Sequence, residues 1–176
     1  LPHMMPSGSL FAQAAAAKGI SRDTHVVVYD SHGIFSAPRT AFTFSAFGHK
    51  AISVLDGGLP AWVAAGEAVD SASLEKEPSL SRGTYPDPSL ESGRVRSFQE
   101  MLHNTTLGSS AQIVLDARPK ERFDGTIPEP RPNMASGHIP HALSMPFMSV
   151  LDKHEVNGQS FTTMKPQHEL WKVVSR

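Results

Sequence analysis

Residues 115–147, LDARPKERFDGTIPEPRPNMASGHIPHALSMPF, place Arg118, Arg122, Arg131 and His138 at short spacing. An arginine guanidinium is a planar, permanently charged fork whose N–H groups match the oxygens of a carboxylate or a sulfonate-like anion. Spacing alone leaves the plainer alternative open, that each is a surface or salt-bridge arginine. A covalent group transfer would also need a nucleophile, and the sequence has no cysteine. Within these residues that excludes a disulfide framework, a cysteine zinc site and any thiol nucleophile.

Composition narrows the setting. The 176 residues are 39% hydrophobic and 19% charged, enough for one ordinary domain or for two small or incomplete ones. The formal net charge is −1 and no long Lys/Arg block occurs, so nothing recommends a nucleic-acid or membrane partner over a small molecule. The apolar stretches are too short to span a bilayer.

The elements that must position these side chains alternate. SLFAQAAAAK, residues 9–18, is alanine-rich and predicts a helix that Gly19 stops. HVVVYD, residues 25–30, predicts a strand buried on both faces and ending in Asp30, before the polar turn SHG. A buried helix follows, with Pro38 in its first turn, Phe35, Phe42, Phe44 and Phe47 along it, and Gly48 at its end. AISVLDGG then predicts a second strand, and LPAWVAAG a short helix carrying Trp62. Strand and helix in this alternation predict an α/β fold with a parallel sheet.

From Asp70 to Gly93 the composition shifts to Ser, Pro, Glu and Gly, which predicts a linker. Beyond it come a helix over VRSFQEMLHNT, a strand over AQIVLDARP, a Pro-rich loop, a further short strand after GHIPHALSMPF, and a last helix over KPQHELWKVV. Both halves thus carry a valine/isoleucine strand that ends in Asp before a polar loop. A duplicated α/β domain would give this pattern, whereas a single domain would have to hold an unusually long structureless loop.

The motif in residues 115–147 resembles the catalytic-domain opening of the two-domain rhodanese family, the thiosulfate and 3-mercaptopyruvate sulfurtransferases. Residues 25–62 resemble the non-catalytic first domain of the same enzymes, as does the His3–Pro6 segment. The resemblance implies tandem rhodanese-like domains, both incomplete here: 1–69 the back of the first, 70–93 the linker, and 94–176 the front of the catalytic one. It implies transfer of sulfane sulfur from thiosulfate or 3-mercaptopyruvate to cyanide, a thiol or an acceptor protein of thioredoxin-like or sulfur-carrier type. The transfer passes through a persulfide on a cysteine expected after Arg176.

By motif position Arg122 and Arg131 bind the anionic donor, Arg118 pairs with a carboxylate to hold the loop, and His138 packs to fix a turn. Asp30 stands at the nucleophile's place in the first domain, where it is well bound by N–H donors but cannot accept sulfur. The resemblance implies no cofactor and no metal, and a mitochondrial or cytoplasmic setting. Animal mercaptopyruvate-specific members carry a histidine and an aspartate where this sequence has Leu10 and Pro2. Other members without that pair resemble the ones feeding sulfur into tRNA thiolation, which weakens mercaptopyruvate as the donor without excluding it. A rhodanese-like anion-binding or adaptor module without a nucleophile is the alternative.

Overall fold

The computed structural model describes residues 4–71 and 81–175. Pro2, His3, Arg176 and residues 72–80 of the expected linker lie outside them. The chain resolves into two compact units, Leu1–Arg94 with Lys153–Thr163, and Val95–Asp152 with Met164–Arg176.

In the first unit, Ser7 caps α1 (Gly8–Ala17) by accepting the Leu10 N–H at 3.2 Å, which satisfies a first-turn donor that has no helical partner. Gly19, at φ 72°, ends the helix, and the Ile20 N–H returns to the Ala15 carbonyl at 3.0 Å. β1 (Val26–Val28) runs parallel to β2 (Ile52–Val54). The crossover between them is α2 (Ala37–Ala46), with proline in its first turn as expected. A tight turn at Gly57 then opens α3 (Gly58–Ala64).

The core of this unit gathers on Phe11. Its ring stacks on Phe47 at 4.7 Å and meets Phe44 and Tyr85 edge-on at 4.9 and 5.3 Å. Only two of the four expected core phenylalanines are buried. Phe35 precedes α2, and Phe42 lies two residues from Phe44, about 200° around the helix, so both are exposed. β1 also departs from expectation, because Val27 is 53% exposed. Its side chain alternates away from Val26 and Val28 and lines an open apolar groove of about 440 Å³ with Tyr29, Leu55 and Trp62.

Residues 81–93 form no helix or strand but are tied to this unit. Gly83 and Glu91 donate backbone N–H bonds to Ala16 and Ala46, each at 2.9 Å. Tyr85 enters the core, and its hydroxyl reaches His49 Nδ1 at 2.9 Å. His49, which is 1% exposed, faces the Thr24 carbonyl through Nε2 at 2.9 Å. A carbonyl only accepts, so Nε2 carries the proton and Nδ1 is left to accept from the tyrosine.

In the second unit α4 (Phe98–Asn104) opens with a capping box, Ser97 accepting from the Glu100 N–H and Glu100 from the Ser97 N–H. β3 (Leu115–Asp116) and β4 (Leu143–Ser144) pair in parallel, and the short α5 (Lys120–Phe123) follows β3. Both sheets thus show the predicted α/β arrangement with parallel strands. The last helix is α6 (Gln167–Val174).

Where a short strand was expected, the chain forms a hairpin, β5 (Leu151–Val156) and β6 (Gln159–Met164). Its turn is Asn157-Gly158, both at positive φ, a dipeptide suited to two-residue hairpins. Residues 153–163 of the hairpin pack in the first unit. Thr162 Oγ1 accepts the Ile34 N–H at 3.1 Å, and the Asn157 amide donates to the Ala64 carbonyl at 3.0 Å. Gly33 sits beneath it at φ 106°, where a Cβ would lie 2.4 Å from the Thr162 carbonyl oxygen. Among the described residues no helix is long and apolar enough to cross a membrane.

Candidate functional site

β3 delivers Asp116 to the edge of its sheet and the chain turns at once, so that Arg118 folds back on it. The Asp116 carboxylate accepts the Arg118 backbone N–H at 3.0 Å and its Nε at 2.9 Å. The other side of Arg118 reaches Glu129 Oε1 through Nη1 and the Gly137 carbonyl through Nη2, both at 2.7 Å. Arg118 therefore staples the strand end to the Pro-rich loop, the holding role that its motif implies.

α5 brings Arg122 to the same carboxylate. Its Nε donates to Glu129 Oε1 at 3.2 Å and its Nη2 to Oε2. The Glu129 side chain is only 2% exposed, and two guanidiniums share it. The hydrogen bonds from Arg122, joined by the charges of Arg122 and Arg118, hold its carboxyl below the usual range against the effect of burial. Hydrogen bonding from Arg118 does the same for Asp116, and Asp116 in return raises Arg118.

These side chains line a cavity of about 580 Å³ with Val114, Met134, Ser136, His138 and Ile139. His138 lies flat on Phe123, ring centres 3.8 Å apart, and its Nδ1 donates to the Phe123 carbonyl at 2.8 Å. It packs and fixes the turn, as expected. Arg122 stands in the cavity wall, whereas Arg131 is exposed and outside that wall. No described residue pairs with the Arg131 guanidinium.

Sequence reading did not single out Glu129. The signal for Glu129 was weak: an acid between two prolines, seven residues beyond Arg122. Among the described residues no group of three or more metal-ligating side chains occurs.

The first unit holds a second anion-type arrangement. The Asp30 carboxylate accepts four backbone N–H groups from the loop that leads into α2 and from its first turn: His32 at 2.8 Å, Phe35 at 3.0 Å, Ser36 at 2.8 Å and Ala37 at 3.0 Å. Burial works to raise its pKa, but the four bonds together outweigh it and hold the carboxyl below its ordinary value. Asp30 thus fills, with its own charge, a ring of donors at a helix N-terminus.

Known proteins resemble this chain over most of its length. A Rhodanese-like domain model matches residues 2–65. Over 99% of its length the chain is 35% identical to a probable 3-mercaptopyruvate sulfurtransferase of Schizosaccharomyces pombe, of which it covers 56%. It is 41% identical to the thiosulfate sulfurtransferase of Gallus gallus, with 92% of this chain and 54% of that protein aligned. Among solved structures, the Tum1 protein of Saccharomyces cerevisiae superposes with a TM-score of 0.81 at 28% identity, covering 98% of this chain and 57% of that one. The chain spans about half the length of the curated relatives it matches.

Proposed function

From a chain of the rhodanese family, homologous along nearly its whole length to 3-mercaptopyruvate and thiosulfate sulfurtransferases, we propose a sulfurtransferase. It moves a sulfur atom from thiosulfate or 3-mercaptopyruvate, by way of a cysteine persulfide, to a thiophilic acceptor, whether cyanide, a thiol or a thioredoxin-like or sulfur-carrier protein. With thiosulfate, a cysteine thiolate attacks the outer sulfur and sulfite departs with the electron pair of the broken S–S bond. The acceptor then takes the outer sulfur of the persulfide and the thiolate is restored. None of the 176 residues is cysteine and a thioether cannot carry a persulfide, so the thiolate comes from outside them.

In this reading residues 94–176 open the catalytic domain, 1–69 close a non-catalytic one, and 70–93 join them. Arg122 and Arg131 bind the donor anion. Asp30 occupies the nucleophile's place in the first domain, where its carboxylate already engages the N–H groups that would stabilise a persulfide anion. The protein works in mitochondria or cytoplasm. The single observation that carries the proposal is Arg122, held in the wall of a cavity by a buried carboxylate, within a motif shared with these enzymes.

A cyanide-to-thiocyanate assay tests it. The purified 176-residue chain, free of host enzyme, should give no thiocyanate, whereas the protein that carries this chain together with a cysteine-bearing loop should turn over. A carrier protein that binds thiosulfate without turnover would favour an adaptor instead. Turnover by the chain alone, at a comparable rate, would remove the cysteine mechanism.

A further inference from the structure

Arg122 and Arg131 are not equivalent, and the difference lies in one carboxylate. Glu129 engages Nε and Nη2 of Arg122, so Nη1 is the one nitrogen of that guanidinium that no described residue engages. The same carboxylate holds Arg118, whose remaining edge is taken by Asp116 and the Gly137 carbonyl. Within the cavity wall the two arginines and the two acids cancel in formal charge. Three of the five Arg122 N–H groups, two on Nη1 and one on Nη2, remain for a ligand, which therefore meets an oriented donor edge and little net charge. The uncompensated cation of this loop is Arg131.

We propose that Glu129 is a positioning residue that sets the charge preference of the donor site: it orients Arg122 and offsets its charge, so that the site gives up affinity for dianionic donors relative to monoanionic ones. This deepens the sulfurtransferase reading and rests on it. Thiosulfate is a dianion at neutral pH and 3-mercaptopyruvate carries one carboxylate, so the two donors report the effect directly. An unpaired arginine fork rewards paired oxygens and charge together, whereas one oriented and offset by a carboxylate rewards direction more than charge.

The active protein carrying this chain is compared with its Glu129→Gln variant on both donors. The ratio of thiosulfate KM to mercaptopyruvate KM should fall by about tenfold, the worth of one charge-assisted interaction. Glu129→Asp, which keeps the charge, should return the ratio toward the parent value. A thermal midpoint that drops while the ratio stays put would make Glu129 merely structural and overturn the proposal.

A second pair of variants decides the matter if Glu129→Gln does not fold. Arg122→Gln alone strands the Glu129 charge beside the donor, while Arg122→Gln with Glu129→Gln removes both charges. Thiosulfate KM should be about tenfold lower in the double variant than in the single one. Equal values would overturn the proposal. If the parent protein makes no thiocyanate from either donor, the sulfurtransferase reading itself fails; an active parent with unmoved ratios fails Glu129 alone.

Discussion

Two carboxylates in this molecule do similar work with opposite results. Asp30 accepts four backbone N–H groups from the loop and first turn that open α2 and fills that ring of donors. Glu129 accepts from two guanidiniums and still leaves Arg122 Nη1 engaged by none of the described residues. The first arrangement is closed, with every converging donor satisfied from inside. The second is braced but open, its donors oriented by an internal anion and part of the Arg122 guanidinium left for an external one. An internal carboxylate can therefore end a binding site or prepare it, depending on how many donors it leaves.

The comparison can be broken first at Gly33, in the loop that forms the closed ring. Its φ of 106° and the 2.4 Å approach to Thr162 leave no room for a Cβ. Gly33→Ala should cost about 3 kcal/mol, more than the usual penalty for a side chain at positive φ because backbone must also move. Urea denaturation of the protein carrying this chain measures it. A loss below about 0.5 kcal/mol would show that the loop closes without the hairpin contact.

A smaller effect is expected from emptying the ring. Asp30→Ala leaves the four N–H groups without their carboxylate and should destabilise by about 2 kcal/mol, near the upper end for a lost helix cap. Added sulfate should recover part of the loss, since the vacated donors suit an anion. Equal sulfate effects on parent and variant, in scanning calorimetry, would mean that Asp30 was not filling a site.

The gentlest probe is pH. Asp30 has a folded pKa below its ordinary 3.8, so its contribution to stability is fully present above the unfolded value and is lost as pH falls through the folded one. Below about pH 4 the stability of the parent should therefore decline more steeply than that of Asp30→Asn. Parallel slopes in denaturant midpoints against pH would show that the four N–H bonds do not favour the charged form.

Much of the framework was legible because it is local. The alanine run of α1, the valines of β1 and Pro38 in α2 each act within a few residues, and the structure places each element where these signals do. The misses are three-dimensional. Val27 has the residue type of a doubly buried strand, but its exposure depends on what lies over that face of the sheet. Tyr85 sits in a Ser/Pro-rich stretch that reads as linker, yet its burial is set by Phe11 and His49, far away in sequence.

The hairpin is different, since Asn157-Gly158 is a local turn signal that the sequence itself carries. In the site, Arg118, Arg122 and His138 were picked out by a motif. Glu129 was not, because a loop carboxylate shows its importance only when two arginines from elsewhere converge on it.

The hairpin also fixes a schedule for the chain's synthesis. The bond between Ile34 and Thr162 joins residues 128 apart, so the loop around Gly33 cannot acquire its cover until residues 153–163 have left the ribosome. At bacterial or eukaryotic elongation speeds that is a wait of roughly ten seconds, long compared with helix formation or collapse. For that interval α1, α2 and the parallel pair β1–β2 can assemble, but the loop between β1 and α2 stays without its hairpin cover.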